Sequence, residues 1–362
     1  MSFGFARTGG QFHAFNRENP TKFKKMKKLI RSNSRSPLRC GFFTVAIALC
    51  CFTLSPKAKA LLPPPAPDGG YPGGNTAEGN NALHDVDTAV GLNNTAVGAD
   101  ALSHNTTGSV NVAVGSAALT SNTTGSFNMA IGTEALRNNN ANFNLAIGFR
   151  VLYLNTTGNH LTGIGAAALR NNTTAGFNTA IGADALRENT TGPNNTAIGA
   201  DALSANTIAE ENTAVGSGAL SSNTTGDFNT ATGGFALQVN TTGERNTAIG
   251  DSAMFSNTTG KRNTATGNAA LGFNVTGDGN VAMGAGALHL NTGDDNTSVG
   301  TDALHNNTTG ISNVAVGREA LHDGAGGSEN TAVGISALHD ATGGFNTAVG
   351  GIAGANAVLY DR

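Results

Sequence analysis

Four histidines, His289, His305, His322 and His339, each stand five residues past a glycine that closes a recurring pentapeptide. Imidazoles at a constant repeat offset can hold a transition metal, or can act as a switch that titrates near about pH 6.5. A solvated turn position copied by duplication explains the same pattern without chemistry, so the sequence reading assigns no metal to this histidine column. Acids recur two residues past the glycine, at Asp100, Glu134, Asp184, Asp201, Asp302 and Glu319. Calcium needs about six to eight oxygens. A broken acidic file does not promise them, and these side chains read as solvation of an outer face. Thr179, Thr196, Thr213, Thr230, Thr247 and Thr264 form an unbroken file. Such an array could match an ice lattice, although one threonine file beside Val/Ile is a weaker match than two. Nucleophile-elbow, phosphate-loop, HExxH and calcium-loop signatures are missing, and no Ser/His/acid grouping recurs in register. The sequence therefore predicts no enzyme, no cofactor and no small-molecule substrate.

These files exist because the chain repeats. The pentapeptide Asn-Thr-Ala-(Val/Ile)-Gly, with variants, closes at Gly98, Gly115, Gly132 and onward to Gly350, stepping 17 residues twelve times and 16 three times. A leucine follows four residues after each glycine from Leu102 to Leu338, with Met254 the one exception, and Ala precedes it almost throughout. A turn comes next, typically Asn-Thr-Thr-Gly as at Asn122–Gly125. Gly91, in Asp87-Thr-Ala-Val-Gly, is off register and reads as part of a cap.

Thr-Ala-Ile suits a strand of about four residues. Asn and Gly tolerate the left-handed backbone that tight corners demand. One repeat folded with corners makes a small closed rung. Rungs stacked about 4.8 Å apart pair every strand with its equivalents above and below. The expected fold is all-β, a parallel β-solenoid (β-roll) of about 16 rungs over residues 75–354. At that spacing the rungs extend roughly 75 Å. A helix confined between the Gly and the Asn-Thr-Thr-Gly turn is too short to stand alone. Each rung offers one Leu and one Val/Ile for burial, thin apolar content against the entropy of ordering a rung. Period two puts Thr179 and Ile181 on one face and Asn178 and Ala180 on the other. One face lines the interior, and association of chains along the other predicts a homo-oligomer.

Asn-x-Thr sequons such as Asn105-Thr106-Thr107 and Asn223-Thr224-Thr225 read as corner chemistry; in a eukaryotic host they would be surface glycan sites.

Charge separates the chain into two parts. Residues 1–60 carry 12 Lys/Arg against Glu18, whereas the rest carries nine against 23 Asp/Glu, a formal charge of −14. So acidic a body is a poor partner for nucleic acid. Cys40, Cys50 and Cys51 all lie in the basic part. A basic run from Lys22 to Arg39, an apolar run from Cys40 to Leu54 and the ending Ala58-Lys59-Ala60 predict a signal peptide over 1–60, cleaved after Ala60. Its basic region is long, which makes Met26 an alternative start. Residues 61–74, with five Pro and four Gly, read as a linker. Residues 355–362 read as a truncated or frayed end.

The run Asn-x-Ala-(Val/Ile)-Gly-x-x-Ala-Leu, followed by Asn-Thr-Thr-Gly, resembles the head repeats of YadA-like trimeric autotransporter adhesins over about residues 75–354. The resemblance implies a left-handed parallel β-roll, a homotrimer, export to the bacterial outer surface, and adhesion to host, matrix or cell-surface ligands. The repeat here is longer than is usual for those heads. Neither a heptad stalk nor membrane-barrel strands precede Arg362, so the reading expects either more chain beyond Arg362 or another means of anchoring. Two further classes stay open: a spacer without a ligand, and an ice- or metal-binding solenoid.

Overall fold

The structure is a computed structural model that describes residues 70–324 and 326–355. The signal peptide with its Ala60 cleavage point, the alternative start Met26, most of the linker and residues 356–362 lie outside the described residues. Strand β1 (Gly70–Tyr71) and a 3-10 turn, Pro72–Gly74, precede β2 (Asn75–Glu78). Sixteen three-residue strands follow, from β3 (Thr95–Val97) to β18 (Thr347–Val349). From β2 onward each strand pairs in parallel with the next, and β1 pairs antiparallel with β2. The protein is therefore an all-β parallel solenoid of about 16 turns.

Equivalent residues stack in register: Thr179 on Thr196, Ala180 on Ala197, Ile181 on Ile198. The register survives the 16-residue steps, where Met129 meets Leu145 and Val281 meets Thr297. The glycine that ends each strand is required by geometry. Gly182 has φ 139°, and a Cβ there would lie 2.4 Å from the Gly199 carbonyl oxygen. The other left-handed positions are not those the corner argument expects. Asp184 (φ 57°), Leu186 (φ 51°) and Phe177 (φ 59°) adopt them, whereas the turn asparagines do not. Inter-rung amide bonds offset the strain; Leu186 N–H donates to the Ala202 carbonyl at 3.0 Å, and Asp184 N–H to Ala166 at 2.9 Å.

The interior also corrects the expectation that Val/Ile is buried. In the rung around Gly182, the fully buried side chains are Asn178, Ala180, Ala185, Leu186 and Asn189. Ile181 points outward and is 37% exposed. A three-residue strand so close to the opposite wall leaves room for Ala only, and the turn carbonyls that face inward need donors. The buried asparagines supply them. Asn178 and Asn189 both donate to the Gly192 carbonyl, at 2.9 and 3.0 Å. Asn189 also donates to Asn172 Oδ1 and accepts from Asn206, so the amides form a ladder. In two of the three 16-residue steps the missing turn residue brings the two asparagines of one rung together: Asn144 donates to Asn139 Oδ1 at 3.0 Å, and Asn296 to Asn291 Oδ1 at 3.3 Å.

One rung was hidden in the sequence. Asn75-Thr-Ala-Glu78-Gly79 is a full strand unit, paired with Thr95–Val97, and its Leu83 is buried four residues past Gly79. Glu78 in the Val/Ile place and a 19-residue step from Asn75 to Asn94 mask it. Gly91 lies in a bend between these two strands.

Candidate interaction surface

Each rung aims two strand side chains outward, and stacking turns them into files. The threonine file is half-buried and in register, and it gains Thr162, which pairs with Thr179. Beside it runs the residue before each glycine. Ile181, Ile198 and Ile249 there are 37%, 38% and 44% exposed, and Met283 is 48% exposed. Each rung thus buries its smallest strand residue and presents its largest.

A second apolar file was missed by sequence reasoning. Phe127, Phe143, His160 and Phe177 each stand five residues before a closing glycine, three of them just ahead of the strand asparagine and His160 ahead of Leu161, which takes its place. Their rings stack with centroids 5.0, 5.1 and 4.9 Å apart, and Phe177 is 60% exposed. The signal was available as an aromatic residue at one offset in four successive copies. Nearby, the Arg150 guanidinium lies over the Phe149 and Tyr153 rings at 4.9 and 5.5 Å.

The histidine column is assembled as expected. His289, His305, His322 and His339 stack with centroids 5.0, 5.2 and 5.0 Å apart, and the last two ring pairs are tilted by only 7°. Each Nδ1 faces an acceptor: the Ala269 carbonyl, Asn306 Oδ1, Asp323 Oδ1 and Asp340 Oδ1 respectively. Asn306 also donates to Asp323 Oδ1 at 2.5 Å. That amide bond, and then the bond from His322, hold the Asp323 carboxyl below its ordinary pKa against the opposing effect of burial. A smaller histidine–acid group lies at the other end, where His84 and His104 share the Asp85 carboxylate at 2.9 and 3.1 Å. It borders a hollow of about 460 Å³ that Asp100 and Arg137 help to line.

The acidic file is not gathered into one site. Asp100, Glu134, Asp184, Asp201, Asp302 and Glu319 occupy left-handed positions, and several pair locally instead. Glu134 binds Arg150 at 2.5 Å and Arg137 at 3.4 Å, and Asp184 binds Arg187 at 3.4 Å. The sequon asparagines Asn105 and Asn223 are fully buried, with amide nitrogens bonded inside the rung. They have no room for a glycan in the folded chain.

No protein-family model matches the chain, and comparison with curated proteins finds no match.

Proposed function

We propose that the protein is an exported bacterial surface or fibre component. Its solenoids associate with one another along the Thr/Ile strand face and present the remaining files as repeated, weak contacts. The observation that carries this reading is the size inversion on the strand, where Ala180 is buried and Ile181 is left at the surface. Covering the remaining third of such an Ile stabilises by about 0.5–1 kcal/mol. That is small for one rung, but it recurs down the file, as an extended interface between parallel copies needs. The repeat's resemblance to trimeric adhesin heads, and the signal-like leader, support a homotrimer and export. Display along a stack of rungs gains avidity without a deep pocket, because each further contact is intramolecular once the first is made.

A spacer without a ligand is the second reading. It is favoured by the near-identity of successive strands from Thr179 to Thr266, which gives no single rung a distinct recognition surface. Deleting whole rungs separates the two. Binding of the purified protein to host-cell or matrix surfaces should fall abruptly when the Phe127–Phe177 rungs are removed and little when rungs between Thr196 and Thr266 are. Equal, gradual effects from both deletions, or no binding by the intact protein, would leave the spacer reading in place.

A further inference from the structure

The histidine column has two chemically different halves. His289 and His305 stack as closely as the others, but their Nδ1 atoms face neutral oxygens, the Ala269 carbonyl and Asn306 Oδ1. His322 and His339 face carboxylates, Asp323 at 2.9 Å and Asp340 at 2.6 Å. Among the described residues, His322, Asp323 and His339 form the group whose ligand atoms all lie within 4.8 Å of one another. They come from consecutive rungs, so the parallel register holds them side by side with no loop to order. Asn306, one rung earlier, anchors Asp323 through its amide and leaves the carboxylate's other oxygen available.

We infer that His322, His339 and Asp323 form a binding site for one divalent transition-metal ion of the zinc class, with water completing the coordination. Two imidazole nitrogens and one carboxylate oxygen are a donor set that such ions accept in tetrahedral geometry, with bonds of about 2.0–2.2 Å. An imidazole that ligates through Nδ1 carries its one proton on Nε2, so the ion takes the place of any proton between His322 Nδ1 and Asp323. Closing the group requires the two rings, now 5.0 Å apart and parallel to within 7°, to turn until their nitrogen lone pairs converge, with His339 releasing Asp340 or binding through its other nitrogen; both rings are partly exposed, His322 25% and His339 28%. The bound ion ties two rungs together near the C-terminal end of the described solenoid, where the stack has fewer neighbours to hold it. This site is independent of the surface-display reading.

Calorimetric titration of the metal-free purified protein with zinc tests it, using three variants: the pair His322→Ala/His339→Ala, the pair His289→Ala/His305→Ala, and Asp323→Asn. The expected result is one zinc site per chain. Its affinity falls by about tenfold or more in the first pair and in Asp323→Asn, and stays within about twofold in the second pair. Zinc should also raise the melting temperature of the wild type and of His289→Ala/His305→Ala, and not that of His322→Ala/His339→Ala. Circular dichroism of each variant without zinc shows whether the solenoid is retained, so that lost binding is not mistaken for lost fold. No zinc uptake by the wild type, equal affinity in all variants, or equal loss from both histidine pairs would overturn the assignment.

Discussion

Val151 Cγ1 fills the space that the usual strand alanine of the next rung would use: a Cβ built on Gly163 would lie 2.5 Å from it. Val151 stands in the file that is otherwise Ala, as at Ala168 and Ala185, and Gly163 stands in the strand file that is Ala at Ala180 and Ala197. One oversized and one undersized residue therefore compensate across a rung step. The double-mutant cycle is a direct check by urea denaturation. Gly163→Ala alone should destabilise by about 1–3 kcal/mol through overpacking. Val151→Ala alone should cost a similar amount through the cavity it leaves. The double variant, which restores the regular Ala pair, should lie close to wild type, with a coupling energy of at least about 1 kcal/mol.

The asparagine ladder makes a second prediction. Asn189 donates to Gly192 and Asn172 and accepts from Asn206, all inside the rungs. Asn189→Ala strands Asn172 Oδ1 without a donor and opens a void, so it should destabilise by about 2–4 kcal/mol in the same assay. Among the described residues the ladder already has gaps. Asn122 Oδ1 has no partner, and Asn139 donates to the Ala141 carbonyl. Asn307 Oδ1 has none either, because Gly324 replaces the next asparagine. Asn307→Ala should accordingly cost less than Asn189→Ala.

These interior asparagines mark what the sequence could and could not disclose. Gly182 and Leu186, at fixed offsets repeated down the chain with Met254 the one substitute for leucine up to Leu338, announced the rung, its parallel register and its buried leucine. Alternation along Thr179–Ile181 said that two faces exist but not which one lies inside. Hydrophobicity favoured Ile181 for the core, and the narrowness of the rung, together with its need for amide donors, decided for Ala180 and Asn178 instead. Glu78 concealed the first rung because an outward position tolerates a charge. The histidine column was legible as an alignment. The Asp323–Asn306 contact that distinguishes its two halves was not, because it joins residues 17 apart through side-chain geometry.

Outward charge should separate folding from association. Ile181→Lys combined with Ile198→Lys places two cations on the strand face, at positions 37% and 38% exposed. Far-ultraviolet circular dichroism should be unchanged, with monomer stability within about 0.5 kcal/mol of wild type, as for surface substitutions in general. Light scattering should show self-association weakened. Thr196→Lys, on the half-buried file of the same face, should act in the same direction.

Acid should weaken the histidine end of the solenoid through Asp323. Its folded pKa is depressed, chiefly by the Asn306 amide bond and then by His322, so the folded state favours the carboxylate. The stabilisation is present above the carboxyl's ordinary pKa and is lost as pH falls through the lower, folded value. Amide protection in the rung from Leu321 to Leu338, taken relative to the intrinsic exchange rate at each pH below 5, should fall in the wild type more than in Asp323→Asn. An equal pH dependence in the two proteins would assign the effect to other groups.

Sedimentation equilibrium of the purified protein tests the account's central claim most directly, because exposing Ile181 and its equivalents makes sense only if another chain covers them. The account predicts an oligomeric mass at micromolar concentration, three chains if the adhesin-head resemblance holds, and dissociation when the Ile file carries lysines. A single-chain mass across that range, with the solenoid intact by circular dichroism, would contradict it.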